Sequence, residues 1–228
     1  MEKIRILEKL LENKSAVVFD FDNIIVDSEP YHMKAYKKAF ASEGHNINPA
    51  EYWLEWTFKG GGAEREIAKH NLKFDPDYIR SKKNPIYSRF CKSGKIKIFP
   101  AALRIISILK ENGFPLAIAS GSFQHDILSI IETNGIDHNF KAVIGKDMVS
   151  ATKPDPAIYL KASSELGVPP SECLAIEDAQ KGITSAHEAG MQVIAVETKV
   201  TKGFNLDDGD LVVSELEELQ RLLENLFS

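Results

Sequence analysis

Six short apolar runs recur along the chain: SAVVFD (15–20), PLAIAS (115–120), KAVIG (141–145), CLAIED (173–178), QVIAV (192–196) and LVV (211–213). They are too short for helices and read as strands buried on both faces, the pattern of a parallel sheet covered by helices. Between them, at 101–112, 123–134, 155–167 and 179–189, lie helix candidates. Another, at 2–13, sets Ile4, Ile6, Leu7, Leu10 and Leu11 along an amphipathic helix. Strands alternating with helices predict an α/β fold rather than an all-β one. LVV, the shortest run, is assigned near an edge. A final helix is expected over 214–226, with Ser214 as N-cap and Glu217 completing a capping box.

Residues 30–94 break this alternation and contain no convincing buried strand. Tyr31, Met33, Ala35, Tyr36, Ala39 and Phe40 mark one helix, and a second stretch follows the glycines at 60–62. A third, around 77–91, carries Tyr78, Ile79, Ile86, Tyr87 and Phe90. The expected organisation is therefore an α/β core, 1–29 and 95–228, interrupted by an all-helical block, 30–94.

A length of 228 residues suits one or two domains. Hydrophobic residues at 43% exclude a disordered chain, which lacks the apolar surface to offset its ordering entropy. The charge sum, 28 − 33 = −5, lacks the basic excess of a phosphate-backbone binder, so nucleic acid is not an expected partner. No apolar run approaches the ~18 residues of a membrane span. The start, MEKIRILEKL, has no continuous apolar segment and reads as no secretory signal. Cys91 and Cys173 form no C-x-x-C pair and are expected to be reduced thiols, consistent with a cytoplasmic protein.

Chemistry-bearing side chains stand where parallel strands end, and ligands of such sheets bind in the crevice outside those ends. Asp20 and Asp22, two apart in an extended segment, point to one side. Alone they suit either a solvated Asx turn or a reactive pair. Ser120-Gly121-Ser122 suits an N-cap or an anion site made from a hydroxyl and backbone N–H groups. Lys153 in ATKPDPAIY suits a surface residue or a crevice cation. Glu177-Asp178 suits a helix cap or metal ligands, two compatible roles. Together, three aspartates, a glutamate, an amine and a hydroxyl at the ends of one sheet suit Mg²⁺-assisted phosphoryl transfer.

FDFDNIIVDSEP, LAIASGS, TKPDPAIYL and AIEDAQKGI, in this order, resemble the four motifs of the haloacid dehalogenase superfamily, and most closely its phosphatase and beta-phosphoglucomutase-like branch. The resemblance covers nearly the whole chain. It implies a Rossmann-like core with a helical cap inserted after the first strand. It implies Asp20 as nucleophile and Mg²⁺ ligand, and Asp22 as general acid/base whose carbonyl is a second ligand. It further implies Asp178 as a third ligand with Glu177 beside it, and Ser120, Gly121 and Lys153 around the transferring phosphate. Asn23 replaces the usual glycine after Asp22, and asparagine tolerates the left-handed backbone region better than most residues.

In the block 30–94, His32 lies where this branch often has a histidine, and Lys59-Gly60-Gly61-Gly62 resembles the cap loop that approaches substrate. The mutase has an arginine shortly after that glycine; here Ala63 holds the ungapped position and Arg65 follows two residues later. Lys83 and Tyr87 resemble a lysine–tyrosine pair of the third cap helix. Trp53 and Trp56 are expected in the block's own core. The expected activity is hydrolysis of a small phosphorylated metabolite of the sugar-phosphate kind, by a monomer or weak oligomer. A phosphosugar isomerase is the alternative, and a non-catalytic phosphate-binding module a remote one.

Overall fold

The computed structural model describes residues 2–58, 62–203, 206 and 208–228, with residues 54, 57 and 58 described by backbone alone. In chain order the elements are α1 (Glu2–Leu11), β1 (Ala16–Phe19), α2 (Glu29–Ala41), a single turn α3 (Pro49–Glu51) running into a π-helical stretch (Tyr52–Phe58), α4 (Gly62–Lys69) and α5 (Pro76–Cys91). Then come α6 (Pro100–Glu111), β2 (Leu116–Ala119), α7 (Gln124–Thr133), β3 (Ala142–Ile144), α8 (Ala157–Leu166), β4 (Cys173–Glu177), α9 (Gln180–Glu188), β5 (Gln192–Val196), β6 (Leu211–Val213) and α10 (Leu216–Leu226).

The six strands form one sheet, ordered β3-β2-β1-β4-β5-β6, with parallel pairing throughout. This is the doubly wound order of a Rossmann-like fold, and its direction reverses between β1 and β4. All four β1 residues, all four of β2 and all five of β4 are buried, as strands covered on both faces must be. One face carries Ala16, Val18, Ala117, Ala119 and Ala175 under Ile158, Tyr159, Ala162 and Leu166 of α8 and Ile183 and Ala186 of α9. Small alanines on that face let two helices approach the sheet closely. The six apolar runs all become strands, and LVV is an edge.

The last helix differs from its expected start. Ser214 lies two residues before α10, and Glu215 stands at the cap position without a side-chain cap bond. Glu218, not Glu217, turns back: its Oε2 accepts from the Ser214 backbone N–H at 2.7 Å and from Oγ–H at 2.9 Å. Leu216 and Leu219 are buried, and that packing turns Glu217 outward to solvent and Glu218 toward Lys3 of α1.

The chain packs as two compact units, Met1–Asp27 with Lys97–Ser228, and Ser28–Ile96. The second is helical and has its own core of Ala39, Phe40, Ile47, Tyr52, Trp56, Ala63 and Ile79. Trp56 stacks on Tyr52 in that core, whereas Trp53 is exposed, so the two tryptophans do not share the environment expected of them. Among the described residues, no helix is long and apolar enough to cross a membrane.

Candidate active site

The crevice side chains converge where the sheet reverses direction. The Asp20 backbone N–H continues the β1–β4 ladder by donating to the Ile176 carbonyl at 2.9 Å. Asp20 is thereby set beside Glu177, the last residue of β4, and Asp178. Ligand oxygens of these three lie within 4.8 Å of one another.

Lys153 enters from the loop before α8 and is buried, with its side chain 5% exposed. Its ammonium donates to Asp20 Oδ1 at 2.6 Å, Glu177 Oε1 at 2.5 Å and the Ala119 carbonyl at 3.0 Å. All three N–H donors are thus used, and the surface reading of this lysine is excluded. Glu177 Oε1 also accepts the Tyr159 hydroxyl at 2.8 Å, while Oε2 accepts the backbone N–H groups of Asp178 at 3.0 Å and Ala179 at 3.3 Å. Glu177 therefore anchors Lys153 and the turn into α9, and most of its lone pairs are spoken for. A Cβ at Gly182 would lie 1.8 Å from Glu177 Oε1, so α9 can pass this close over the carboxylate only with glycine there.

Asp22 is bonded to the turn after β2. Its Oδ2 accepts from Ser122 Oγ at 2.8 Å and Ser120 Oγ at 3.2 Å. The Ser122 backbone N–H donates back to Ser120 Oγ at 3.0 Å. The loop after β3 braces this turn, because Lys146 N–H donates to the Ser122 carbonyl and Asp147 accepts from the Gln124 N–H. Gly145 passes so close that a Cβ would sit 2.3 Å from the Gln124 nitrogen. Asn23 has φ +64°, the left-handed backbone that the turn after Asp22 demands, and asparagine supplies it.

The crevice is electrostatically unbalanced: Asp20, Glu177 and Asp178 face a single Lys153. Burial pushes Asp20 up to about 7; Lys153 opposes this, and Glu177 and Asp22 add to it. Burial, then Asp20 and Glu177, raise Asp178 well above the carboxylate range, against its bond from Thr198. Burial alone would lower Lys153, but Asp20 and Glu177 hold it well above its ordinary value, fully charged. Buried carboxylates in excess over cations form a hard, all-oxygen donor set that fits a Mg²⁺-type ion.

Several participants had no individual role assigned from the sequence. Ser122 repeats the position of Ser120 two residues on, and that spacing was its signal. Thr198, which donates to Asp178 Oδ2 at 3.2 Å and bonds Thr201, follows the end of β5; the strand-end rule applied to that strand finds it. Tyr159 and Gly182, which lie within TKPDPAIYL and AIEDAQKGI, act through Glu177.

In the helical unit, His32 stacks on Tyr87 with ring centroids 3.8 Å apart, and Lys83 Nζ sits 4.3 Å from the Tyr87 ring centre. These three are brought together around one ring. Arg65 is engaged elsewhere, its Nε 3.0 Å from Glu55 Oε2. Ala63 is buried. Lys59 lies outside the described residues, as do Gly60 and Gly61.

Residues 17–196 match the family model of haloacid dehalogenase-like hydrolases. The chain is 29% identical over 216 residues to protein CbbY of Rhodobacter capsulatus, covering 88% of this chain and 93% of that protein. It is 28% identical over 191 residues to the fructose-1-phosphate phosphatase YqaB of Escherichia coli, covering 82% of this chain and 98% of that one. The crystal structure of CbbY from Rhodobacter sphaeroides in complex with phosphate superposes with a TM-score of 0.76 at 25% identity, over 90% of this chain and 96% of the other. The protein belongs to the haloacid dehalogenase-like hydrolases.

Proposed function

We propose that the protein is a Mg²⁺-dependent phosphatase of a small sugar phosphate, working through an aspartyl-phosphate on Asp20. The observation that carries this reading is the buried, charge-unbalanced crevice of Asp20, Glu177, Asp178 and Lys153 beside a separately bonded Asp22. Lys153 holds one Asp20 oxygen and leaves the other to attack phosphorus in line. As the P–O ester bond breaks, Asp22 donates a proton to the leaving oxygen. Water then attacks the phosphorus, Asp22 takes up its proton, and the bond from phosphorus to Asp20 breaks to release phosphate, returning Asp20 as a carboxylate and Asp22 as the protonated acid. Ser120 and the backbone N–H groups around Gly121 bind the phosphoryl oxygens together with Lys153.

Asp20, the Asp22 carbonyl and Asp178 would hold the ion, with Glu177 orienting Lys153 rather than binding metal. Bound there, Mg²⁺ neutralises the carboxylates and the developing charge on the phosphoryl group. The helical unit 28–96 serves as the cap that selects the substrate. A sugar phosphate is favoured because YqaB, similar over 82% of this chain, is a fructose-1-phosphate phosphatase. Hydrolysis ranks above isomerisation because Ala63 is buried and Arg65 is already paired with Glu55.

Phosphate release from a panel of sugar phosphates, with and without Mg²⁺, tests the reading. Release that needs Mg²⁺ supports it. Beta-glucose 1-phosphate, with catalytic glucose 1,6-bisphosphate, turning into glucose 6-phosphate faster than phosphate appears would reverse it in favour of the isomerase.

A further inference from the structure

The helical unit carries a second group of ligating side chains, of different chemistry from the crevice. Helix α2 ends in a turn with Gly44 at φ +80°, and the His45 N–H donates back to the Phe40 carbonyl at 3.1 Å. This turn aims the His45 ring at α4. Glu66 and His70 are four apart at the end of α4, so they share one face. His45 Nε2 lies 2.7 Å and His70 Nε2 3.6 Å from the same oxygen, Glu66 Oε1. The three ligand atoms all lie within 4.8 Å of one another. Glu51 Oε2 is 3.7 Å from His70 Nε2, and also 3.1 Å from Lys69 Nζ.

Two features distinguish this group from an ordinary histidine–glutamate pair. First, both imidazole nitrogens converge on one oxygen, and 3.6 Å is too long for a hydrogen bond. Bonds of ~2.0–2.1 Å to a tetrahedral ion place neighbouring donor atoms roughly 3.3 Å apart. The observed separations, 2.7 and 3.6 Å, straddle that distance, so small side-chain shifts of His45 away from Glu66 and of the exposed His70 toward it would close the set. Second, Glu66 is 2% exposed, and its remaining oxygen accepts the Trp56 indole N–H at 3.2 Å. A buried carboxylate oriented by an outer hydrogen bond is how proteins hold a metal ligand in place.

We propose that His45, Glu66 and His70, with Glu51 as a fourth donor released from Lys69, form a binding site for a transition-metal ion of the Zn²⁺ type. Two imidazoles and carboxylates select such an ion over Mg²⁺, which prefers an all-oxygen set. The ion would fasten the turn after α2 to the end of α4. The protein would then sort two metals by donor chemistry, one in each unit.

The test uses the full chain, stripped of metal and returned to excess Mg²⁺ so that the acidic crevice is occupied. Titration with Co²⁺ is expected to give one equivalent of the intense visible absorption of tetrahedral cobalt, displaced by Zn²⁺, and Zn²⁺ should raise the melting temperature. His70→Gln removes an exposed ligand with little risk to the fold. It should abolish that absorption and weaken Zn²⁺ binding by more than the roughly 10- to 100-fold lost with an outer-shell partner. His45→Gln should do the same. No tetrahedral band in the presence of Mg²⁺, or the same band in His70→Gln, would overturn the site and leave the cluster as an ion pair.

Discussion

The crevice and the helical unit handle charge in opposite ways. At the strand ends, Asp20, Glu177 and Asp178 are buried around one lysine, and burial drives Asp20 and Asp178 upward rather than letting them ionise freely. In the helical unit several acids have cationic partners of their own. Glu43 pairs with Lys82, Glu55 with Arg65, and Glu64 with Arg80, largely near the surface. Matched surface pairs change stability little, whereas an unmatched buried carboxylate persists only where something else compensates it. That imbalance is what supports the proposed ion and anionic substrate in the crevice.

The sharpest way to break this contrast is Asp20→Asn. Phosphate release should fall by at least roughly 10⁴-fold, as removal of a nucleophile does elsewhere. The same change should raise the melting temperature of metal-free protein, because it removes one of the unmatched charges. Activity near that of the wild type would refute the assignment of Asp20.

Next comes Lys153→Met, which strips Asp20 and Glu177 of their shared cation. Removing one partner of a buried pair costs about 3–5 kcal/mol, read here by urea denaturation. A loss below about 1 kcal/mol would mean that the crevice is wetter and better screened than its burial implies.

The pH dependence of the metal-free protein sharpens the same point. Folding raises Asp20 from 3.8 to about 7. Between these values the unfolded chain has released a proton that the folded one still holds. Stability should therefore fall as pH rises from about 4 to about 7, with a slope up to about 1.4 kcal/mol per pH unit from this group. Saturating Mg²⁺ should flatten the slope, measured by thermal unfolding across that range. A stability that rises steadily across the same window would contradict the raised state of Asp20.

The smallest effect belongs to the helical unit. Arg80 bonds both Glu64 and Asp77 on an exposed face. Arg80→Ala should cost under about 1 kcal/mol, and less in high salt. A larger loss would show that the unit depends on its charges as the crevice does.

Much of the crevice was legible because its geometry is local. A parallel strand ends where its apolar run ends, so Asp20, Ser120 and Glu177 could be placed from SAVVF, LAIA and CLAI before any contact was known. The ladder then lines those ends up without further help from side chains. The capping of α10 shows the limit of local reading: Ser214 was visible, but the burial of Leu216 and Leu219 selected Glu218 over Glu217 as its partner. The tryptophans show it again, since helical spacing grouped Trp53 with Trp56 while packing on Tyr52 chose only the latter.

Composition and order along the chain determined the α/β class, the helical interruption after the first strand and the strand-end acids, because each depends on neighbours a few residues away. The tertiary structure alone decided which side chains meet. Lys153 reaches Asp20 across 133 residues, and Ser122 reaches Asp22 across 100. Glu177 meets Lys153 and Tyr159 only once α8 and α9 pack over the sheet. His45 joins Glu66 and His70 only when a turn after α2 is packed on α4. Such pairings are set by the burial of whole elements against one another, a non-local balance of packing and desolvation that no short window of sequence contains.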